Sequence, residues 1–479
     1  LRINEETKQQ ITQITQIIDM TQKTSLYLAL GLVGSLPLLA QEAPTPVYEL
    51  DPFTVIGSEE GVFDLPGSGS YFGPEVLERF KYENINEMLL QVPGVYVRDE
   101  DGFGNFPNIS IRGVDGNRSG KLTLMEDGVL TAPAPYSAPS AYYSPTIGRM
   151  AGLEVLKGSS QIQHGPHTTG GVINYISTPI PEQTEGFIEA SYGNEDTFTG
   201  HLWYGGKKET EAGTFGALVE IHHQTTEGFR DIQPSVNGAF DGSDDTGFDK
   251  TDLMFKLSFE PNWQRRNHFE LKVGYTDFDS NETYLGLNPA DLSDDPFERY
   301  AASAADNIET EHFRTHLRHL IEFDSDTQLT TTLYFNSFQR DWFKLDKVGT
   351  AGGGADSNPA QFVLTNRDIL RGTTRGDFKI KSNDREYYLG GIQSKLDTSF
   401  ETGGWWHELT LGARLHADKI DRFQDSEVFE DVFAGDFGTP TRLLGPDTEG
   451  DREQETVALA LFAQDRITRG DWIFSPGLR

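Results

Sequence analysis

Basic side chains occupy every second position of one segment, at His312, Arg314, His316 and Arg318. On a helix, His312, His316 and His319 would share a face at a spacing that can bind zinc. On a strand, the four basic residues share one face and the apolar residues share the other. Because the apolar residues continue the alternation as far as Phe323, we predict a strand. Its basic stripe suits an anionic ligand, or else pairs with carboxylates.

A second segment superficially resembles a calcium loop, since residues 241–249 read Asp-Gly-Ser-Asp-Asp-Thr-Gly-Phe-Asp. An EF-hand needs glycine at the sixth position and glutamate at the twelfth, where this sequence has Thr246 and Asp252. We interpret the run as a solvated loop. The sequence also contains no Gly-x-Ser-x-Gly, no Walker loop and no His-Glu-x-x-His, and Gly102-x-Gly104 lacks the third glycine of a dinucleotide site. It therefore predicts neither a metal centre nor an enzyme.

Composition narrows the class of protein further. The 479 residues include 40 Lys plus Arg against 74 Asp plus Glu, and the net charge of −34 argues against a nucleic-acid partner. The absence of cysteine rules out disulfides and Cys-ligated metals. A mean hydropathy of −0.48 excludes a bundle of membrane helices. A membrane β-barrel stays compatible, because its strands expose only alternate residues to lipid.

From Glu185 onward, apolar and polar residues alternate over long runs, as in Leu253, Phe255, Leu257 and Phe259. We count about eleven such runs, each near the ten residues of a tilted membrane strand. Tight connections such as 324–326 alternate with long acidic ones at 230–250 and 422–453. This asymmetry favours an antiparallel transmembrane β-barrel over residues 183–479, with a soluble β-sandwich as the alternative.

The N-terminal part divides into three segments. Residues 20–40 combine a basic start, an apolar stretch and a small residue before Gln41, so we predict that residues 1–40 are a leader and signal peptide. Residues 41–57 are a Pro-rich spacer followed by a short extended segment. Residues 58–182 alternate short strands with Gly-rich turns after a helix predicted at 74–92, which indicates a compact α+β domain.

Several motifs of this domain follow one another in the order of a known family. They are Glu49-Leu-Asp-Pro-Phe-Thr-Val-Ile56, Asn86-Glu-Met-Leu-Leu-Gln-Val-Pro-Gly-Val-Tyr96, Asn108-Ile-Ser-Ile-Arg-Gly113, Met125-Glu-Asp-Gly-Val129, Met150-Ala-Gly-Leu-Glu-Val-Leu-Lys-Gly158 and His164-Gly-Pro-His-Thr-Thr-Gly-Gly-Val-Ile-Asn174. On these motifs the chain resembles the TonB-dependent outer-membrane receptors. The segments 132–136, 281–287 and 299–303 make it most similar to the ferric dicitrate type. The resemblance implies a plug domain inside an outer-membrane β-barrel of a Gram-negative bacterium.

The resemblance also implies residues that couple and lock the plug. The segment Leu50-Asp51-Pro52-Phe53-Thr54-Val55-Ile56 corresponds to the Ton box, an extended strand that pairs with the TonB energy-coupling complex. Arg112 and Lys157 match plug cations that pair with glutamates of the barrel wall, although lysine lacks the bidentate fork of arginine. The alternative for both is ordinary surface charge.

The implied ligand is a ferric chelate of the ferric citrate kind. The apices of the plug would contact it through Thr131, Tyr136, His167 and Thr168, and the basic stripe through Arg314 and Arg318. His167 stands where the family has glutamine, and a neutral imidazole can still donate one hydrogen bond, unless it merely packs in a loop. The chelator would hold the iron, so no cofactor is expected. The expected partners are the TonB complex, the ferric chelate and outer-membrane lipid, without nucleic acid.

Other functions stay open beside the uptake of a ferric chelate. A receptor for another siderophore, cobalamin or an oligosaccharide would share the same motifs. A non-transporting adhesion or docking protein would use the loops alone, but it would not need a Ton box. Because about eleven strands cannot close a receptor barrel of roughly 22 strands, we also expect the chain to be an incomplete barrel.

Overall fold

The computed structural model describes residues 55–140, 143–236, 244–281, 283–446 and 450–479. The predicted signal peptide, the spacer and Leu50–Thr54 of the predicted Ton box lie outside the described residues. No helix within the described ranges is long and apolar enough to cross a membrane.

The first part of the described chain is a small α+β domain, which we call the plug. Its five-stranded sheet has the order β1-β6-β7-β4-β5, with β4 and β7 parallel and the other pairs antiparallel. A separate hairpin pairs β2 with β3. Every residue of β6 and β7 is buried, which explains their almost continuous apolar sequence. The strands are β1 (Ser68–Phe72), β2 (Val95–Arg98), β3 (Asn108–Ile111), β4 (Leu122–Glu126), β5 (Val129–Leu130), β6 (Met150–Lys157) and β7 (Gly171–Ser177).

The single helix predicted at 74–92 is two short helices, α1 (Pro74–Phe80) and α2 (Ile85–Leu89). Lys81 ends α1 in the left-handed conformation with φ 50°. The Asn84 side chain starts α2 by accepting a hydrogen bond from the Asn86 amide. The prediction was therefore wrong about continuity, because an asparagine N-cap within an apolar period begins a new helix. Leu77, Met88 and Leu89 still face the core of the plug.

The second part is one large antiparallel sheet that curves around the plug. Eleven strands follow one another in the order β21-β20-β18-β17-β16-β15-β13-β12-β10-β9-β8, with β19 added to β18 and β22 to β20. Two short strands, β11 (Asp231–Ile232) and β14 (Glu298–Arg299), pair in a loop. The long strands are β8 (Glu185–Tyr192), β9 (Phe198–Thr210), β10 (Gly213–Thr226), β12 (Phe248–Pro261), β13 (Asn267–Ser280), β15 (Asn307–Glu322), β16 (Thr327–Thr350), β17 (Gly376–Thr402), β18 (Trp405–Val432) and β20 (Asp451–Arg469). The short ones are β19 (Arg442–Leu444), β21 (Trp472–Phe474) and β22 (Gly477–Leu478).

Alternation along each strand separates an inner face from an outer one. On the outer face Leu253, Phe255, Leu333 and Leu415 are exposed, which forms the apolar band expected of strands in lipid. Polar residues on the inner face are buried against the plug. The count of about eleven strands is confirmed, but the expected length of ten residues is wrong for β16, β17 and β18, which have 24, 27 and 28 residues. These strands continue far beyond an apolar band, so the loop expected at 422–453 begins only after Val432.

Connections at one end of the sheet are tight, as at 323–326 and 403–404, and most at the other end are long. The long loops carry α3 (Pro289–Asp294), α4 (Pro359–Phe362) and α5 (Arg367–Leu370) and share a hydrophobic core with the extended strands. Asp291 joins two of the loops, because it accepts hydrogen bonds from Tyr300 at 2.6 Å and from Arg367 and Arg371 at 2.7 Å each. The long-loop end is therefore a folded cap.

Candidate functional site

The plug and the inner face of the sheet meet in six buried charges, which we call the ion cluster: Glu126, Asp127 and Arg149 of the plug, and Asp252, Lys272 and Arg314 of the sheet. Arg149 Nη2 lies 2.7 Å from Glu126 Oε1, and its Nε lies 3.0 Å from Asp252 Oδ2. Lys272 Nζ lies 2.6 Å from Glu126 Oε1 and also contacts Asp127. Arg314 Nη2 lies 2.8 Å from Asp252 Oδ1. Three positive charges thus balance three negative ones, as buried ions require.

The two plug carboxylates of the ion cluster stay ionised despite their burial. Burial by itself raises the pKa of Glu126, but Arg149, Lys272 and Arg314 together hold that pKa well below its usual value. For Asp127, burial also raises the pKa, and Lys272 and Lys256 outweigh it, so that this pKa too lies well below its usual value. The two plug carboxylates therefore keep their charges at neutral pH, and the ion cluster fastens the plug to the sheet.

The predicted basic stripe lies on strand β15 and faces the plug, as expected. Arg314 and Arg318 are 5% and 2% exposed, whereas Leu317 between them is 48% exposed on the outer face. Arg318 donates to the carbonyl of Asp127 and lies 3.6 Å from Glu270 Oε1. The stripe therefore pairs with carboxylates and with the plug, which is the alternative left open by the sequence. Direct contact of the two arginines with a ligand stays a prediction.

Strand geometry also separates the histidines of the predicted zinc alternative. His312 and His316 lie on the inner face. His319 lies on the outer face, where its ring stacks on that of Phe269 with the two centroids 4.3 Å apart. Within the described ranges, no three His, Asp or Glu side chains are grouped to hold a metal ion. Residues 241–243 of the calcium-like run lie outside these ranges.

The predicted apical residues fall into two groups. Thr131 is buried, with its hydroxyl 3.1 Å from the Tyr143 hydroxyl. Tyr136, His167 and Thr168 are half-buried at the surface of the plug. The Tyr136 amide donates to Asp418 Oδ2 at 2.7 Å, which fixes this apex against strand β18. The structure thus brings three of the four apical residues to accessible positions.

The charge state of His167 can be assigned from its surroundings. Burial lowers the pKa of the His167 imidazole, Lys121 lowers it further, and Asp418 opposes both. The net shift is downward from the usual value near 6.5, so the ring is neutral at pH 7. His167 can therefore offer one hydrogen bond to a ligand but no charge.

The predicted locking cations do not reach wall carboxylates in the described part of the chain. Arg112 is exposed and donates to Ser68 Oγ at 2.9 Å, and Lys157 Nζ donates to the Pro93 carbonyl at 3.0 Å. Burial and the nearby Arg112 lower the pKa of Lys157. Arg112 and Lys157 were expected to hold the plug against the sheet. In the structure, the ion cluster makes that contact. Their pairing with wall glutamates stays a prediction.

Sequence analysis missed a row of four arginines across four neighbouring strands, which we call the arginine row: Arg340, Arg385, Arg422 and Arg452. Arg340 and Arg385 are Cα partners between β16 and β17, Arg385 and Arg422 between β17 and β18, and Arg422 and Arg452 between β18 and β20. Each occupies an inner-face position of its strand. In the sequence each arginine stands beside an aspartate, at Asp341, Asp384, Asp421 and Asp451, and only the register between strands assembles the row.

The contacts of the arginine row differ from those of the ion cluster. Arg385 Nε donates to Asn383 Oδ1 at 3.1 Å and its Nη1 to the Tyr387 hydroxyl at 3.3 Å. Arg422 Nη2 donates to Gln424 Oε1 at 2.9 Å. These three acceptors are uncharged side chains, which orient the guanidinium groups.

The arginine row lies on the long-loop side of the ion cluster, at the level of residues 101–106, which we call the plug tip. Arg340 on β16 is the Cα partner of Thr310 on β15, Thr310 is the partner of Phe278 on β13, and Phe278 is the partner of Lys250 on β12. The Lys250 ammonium donates to Asn105 Oδ1 of the plug at 3.3 Å. Close by is a cavity of about 300 Å³ lined by Arg98, Glu100, Phe106, Thr283, Tyr284, Ile308 and Trp342. Lys344 Nζ lies over the ring of Trp342, 3.7 Å from its centroid. This end of the molecule therefore offers several cations and aromatic faces to a ligand.

Comparison with known proteins agrees with this architecture. Residues 62–172 match the family described as TonB-dependent Receptor Plug Domain. The chain is 27% identical over 263 residues to an iron-regulated outer membrane virulence protein of Vibrio cholerae serotype O1. The aligned segment covers 54% of this chain and 38% of that protein. The chain thus spans well under half the length of this curated relative.

Solved structures show the same fold. The unliganded ferric citrate transporter FecA superposes with a TM-score of 0.66 at 20% identity, over 91% of this chain and 58% of FecA. The closed form of the ferric-catecholate import receptor Fiu from E. coli K12 gives 0.62 at 16% identity, over 90% of this chain and 57% of Fiu. Together with the plug match, these structures identify the large sheet as a receptor-type barrel wall. Residues 62–172 therefore match the plug domain of TonB-dependent receptors, and the antiparallel sheet around them has the fold of the outer-membrane receptor structures.

Proposed function

We propose that this chain belongs to a receptor that takes up an anionic ferric chelate, of the ferric citrate kind, through TonB-dependent transport. The observation that carries the proposal is the arginine row on the inner face of the sheet, at the level of the plug tip. Four guanidinium groups at neighbouring register positions suit a ligand with several carboxylates, because the planar fork of arginine binds carboxylate oxygens in pairs. A protein that merely adheres through its loops has no use for cations inside the wall.

The plug would complete the binding site from below. Tyr136, His167 and Thr168 lie at the plug surface, where the Tyr136 amide donates to Asp418 and His167 interacts electrostatically with the same carboxylate. They offer hydrogen bonds without charge, so the arginine row would supply the attraction and the plug the shape. Thr131, Arg314 and Arg318 lie beneath this surface, where they would support the apices. The iron would be held by its chelator.

The two ends of the sheet would then face different compartments. The apolar outer band would contact membrane lipid, the folded cap would face the exterior, and the tight turns would face the periplasm. Residues 50–56 lead into the plug from its N-terminal side and would pair, as an added strand, with the TonB energy-coupling complex.

A second ligand class is favoured by one further observation, the aromatic cavity of about 300 Å³ beside the plug tip. Tyr284, Trp342 and Lys344 could bind the aryl rings of a catecholate chelate by stacking and cation–π contact. Ferric citrate has no aryl ring, so the two ligand classes would use different parts of the same end.

Titration of the purified, membrane-inserted protein with three ligands tests the proposal. Ferric citrate should quench tryptophan fluorescence saturably, whereas cobalamin, which carries no carboxylate cluster, should not. Quenching by a ferric catecholate that survives excess ferric citrate would favour the second ligand class. Saturable binding of cobalamin alone, or of no ferric chelate, would contradict the proposal.

Coupling to TonB requires a separate test in the complete receptor. Thr54→Pro should stop uptake while leaving ferric-chelate binding unchanged, because proline removes a backbone donor that an added strand needs. Pro46→Ala, in the spacer, is the matched control and should transport normally. Uptake by the Thr54→Pro variant at the unmodified rate would remove residues 50–56 from the coupling step.

A further inference from the structure

The carboxylate of Glu154 binds the first described residues of the chain. Glu154 lies on strand β6 and is completely buried. It accepts hydrogen bonds from three consecutive backbone amides, those of Val55 at 3.0 Å, Ile56 at 2.6 Å and Gly57 at 3.0 Å. These amides belong to the end of the predicted Ton box and to the residue that follows it. One side chain therefore fixes the backbone at the junction between Ton box and plug.

The Glu154 carboxylate and the backbone amides of residues 55–57 stabilise each other. A buried carboxylate is costly unless donors surround it, and hydrogen bonds to an ionised acceptor are stronger than those between neutral groups. Gly57 has φ of 78°, a left-handed conformation that suits glycine. If residues 55–57 leave, Glu154 loses three of its four described donors. Their departure is therefore opposed by the side chain itself.

The fourth donor connects Glu154 to the place where the plug is fastened. Asn174 Nδ2 donates to Glu154 Oε2 at 2.8 Å, and Asn174 Oδ1 accepts from the Gly128 amide at 2.9 Å. Gly128 follows Asp127 in the turn between β4 and β5. That turn contacts the wall at three points, through Lys272 on the Asp127 carboxylate, Arg318 on the Asp127 carbonyl and Gln393 on the Gly128 carbonyl.

The space beside this junction is partly empty. A cavity of about 210 Å³ lies between the plug and the wall, and both Val55 and the turn at Asp127 and Gly128 border it. Movement of Val55 away from Glu154 would therefore not require the wall to move first. The contacts that resist such movement are the three hydrogen bonds to Glu154 and the packing of Val55 and Ile56 against the buried cluster of Met125, Leu130, Leu156 and Val172.

We propose that Glu154 is a positioning residue, a latch that holds residues 55–57 on the resting plug and joins them through Asn174 to the wall-bound turn. Tension on the Ton box breaks the three amide contacts first and leaves the carboxylate to Asn174 alone. The turn that carries Asp127 then loses part of its support. The pulling step rests on the proposed function, whereas the latch at rest does not.

Amide hydrogen exchange of the full chain in its membrane-inserted form tests the latch without any ligand or partner. In Glu154→Gln one acceptor oxygen becomes an NH2 group, so the amides of residues 55–57 should exchange about 10- to 100-fold faster, as expected when hydrogen bonds to a charged acceptor are lost. Strands β4 and β7 should keep their slow exchange. The matched control is Asp115→Asn, which alters an exposed plug carboxylate that accepts from the Asn117 amide, and it should leave residues 55–57 protected.

A second variant covers the case in which Glu154→Gln loosens the whole plug. Glu154→Asp keeps the charge but is one methylene shorter, so it cannot reach all three amides, and their exchange should lie between the wild type and the glutamine variant. Wild-type exchange at 55–57 in a folded Glu154→Gln or in Glu154→Asp would overturn the latch. Failure of ferric-chelate binding or uptake in the wild type would overturn the proposed function alone, since the exchange experiment needs neither.

Discussion

Two groups of cations on the same wall have different surroundings. In the ion cluster, Lys272 lies 2.6 Å from Glu126, and Arg314 lies 2.8 Å from Asp252. In the arginine row, Arg385 and Arg422 donate to asparagine, tyrosine and glutamine side chains. Buried ions that are neutralised within the protein hold its parts together. Arg385 is oriented by an amide and a hydroxyl oxygen, and we propose that the arginine row serves a ligand, so that the two groups of cations separate locking from binding.

The largest expected effect comes from breaking the ion cluster. Lys272→Met removes the partner shared by Glu126 and Asp127 and leaves two buried carboxylates undercompensated, which should cost about 3–5 kcal/mol. The urea midpoint of the plug, followed by near-UV circular dichroism, should fall accordingly. Lys207→Met is the control, since its partner Glu182 is exposed and such surface pairs contribute about 0–1 kcal/mol. Equal midpoints for the two variants would contradict a locking role.

A smaller effect should appear at the tip of the plug as pH changes. Burial, with a further contribution from Asp99, raises the pKa of Asp101 from 3.8 to about 6, although the amides of Gly104 and Asn105 donate to it. The folded tip therefore binds a proton that the unfolded chain has lost, and its stability should fall as pH rises from about 4 to 6. The change is at most about 3 kcal/mol, because one pKa unit corresponds to about 1.4 kcal/mol.

Hydrogen exchange of residues 101–106 between pH 4 and 7, corrected for the intrinsic rate, measures this dependence. Asp101→Asn should flatten the profile, because an amide does not titrate. A stability that rises with pH over this range in the wild type would show that the aspartate is ionised throughout.

The smallest expected effect concerns His167. Because its pKa is lowered by burial and by Lys121, the ring contributes one neutral hydrogen bond, and His167→Ala should weaken ferric citrate binding by about 1 kcal/mol. Affinity should be independent of pH between about 7 and 8, above the usual histidine pKa. Loss of affinity over that interval in the wild type, absent from the alanine variant, would mean that the ring is protonated when it binds.

The sequence alone predicted the features that depend on a single strand, such as the face on which a side chain lies. The alternation around Arg314 correctly placed His312, His316 and Arg318 on the inner face, because side chains in a strand alternate between two faces. The same rule could not align Arg340 with Arg385 and Arg422, since register is a property of two strands. The ion cluster was missed for a related reason. Glu126 and Lys272 are 146 positions apart, and nothing local indicates that they meet.

Local signals were also overridden in two elements. The apolar period from Val76 to Leu89 predicted one helix, but Asn84 caps a second one. Polar residues after Arg422 predicted a loop, but pairing with β17 extends strand β18 to Val432. In both cases a longer-range or capping interaction decided where the element ends.

The contrast between the two groups of cations is tested most directly by measuring ferric citrate affinity and urea stability on the same variants. Arg385→Gln combined with Arg422→Gln should lower the affinity about 10- to 100-fold, as expected for lost hydrogen bonds to charge, with an unchanged urea midpoint. Arg265→Gln, at a tight turn, should change neither quantity. Lys272→Met should lower the midpoint well beyond any change in the double variant. Wild-type affinity in the arginine-row double variant would contradict the assignment of the arginine row to an anionic ferric chelate.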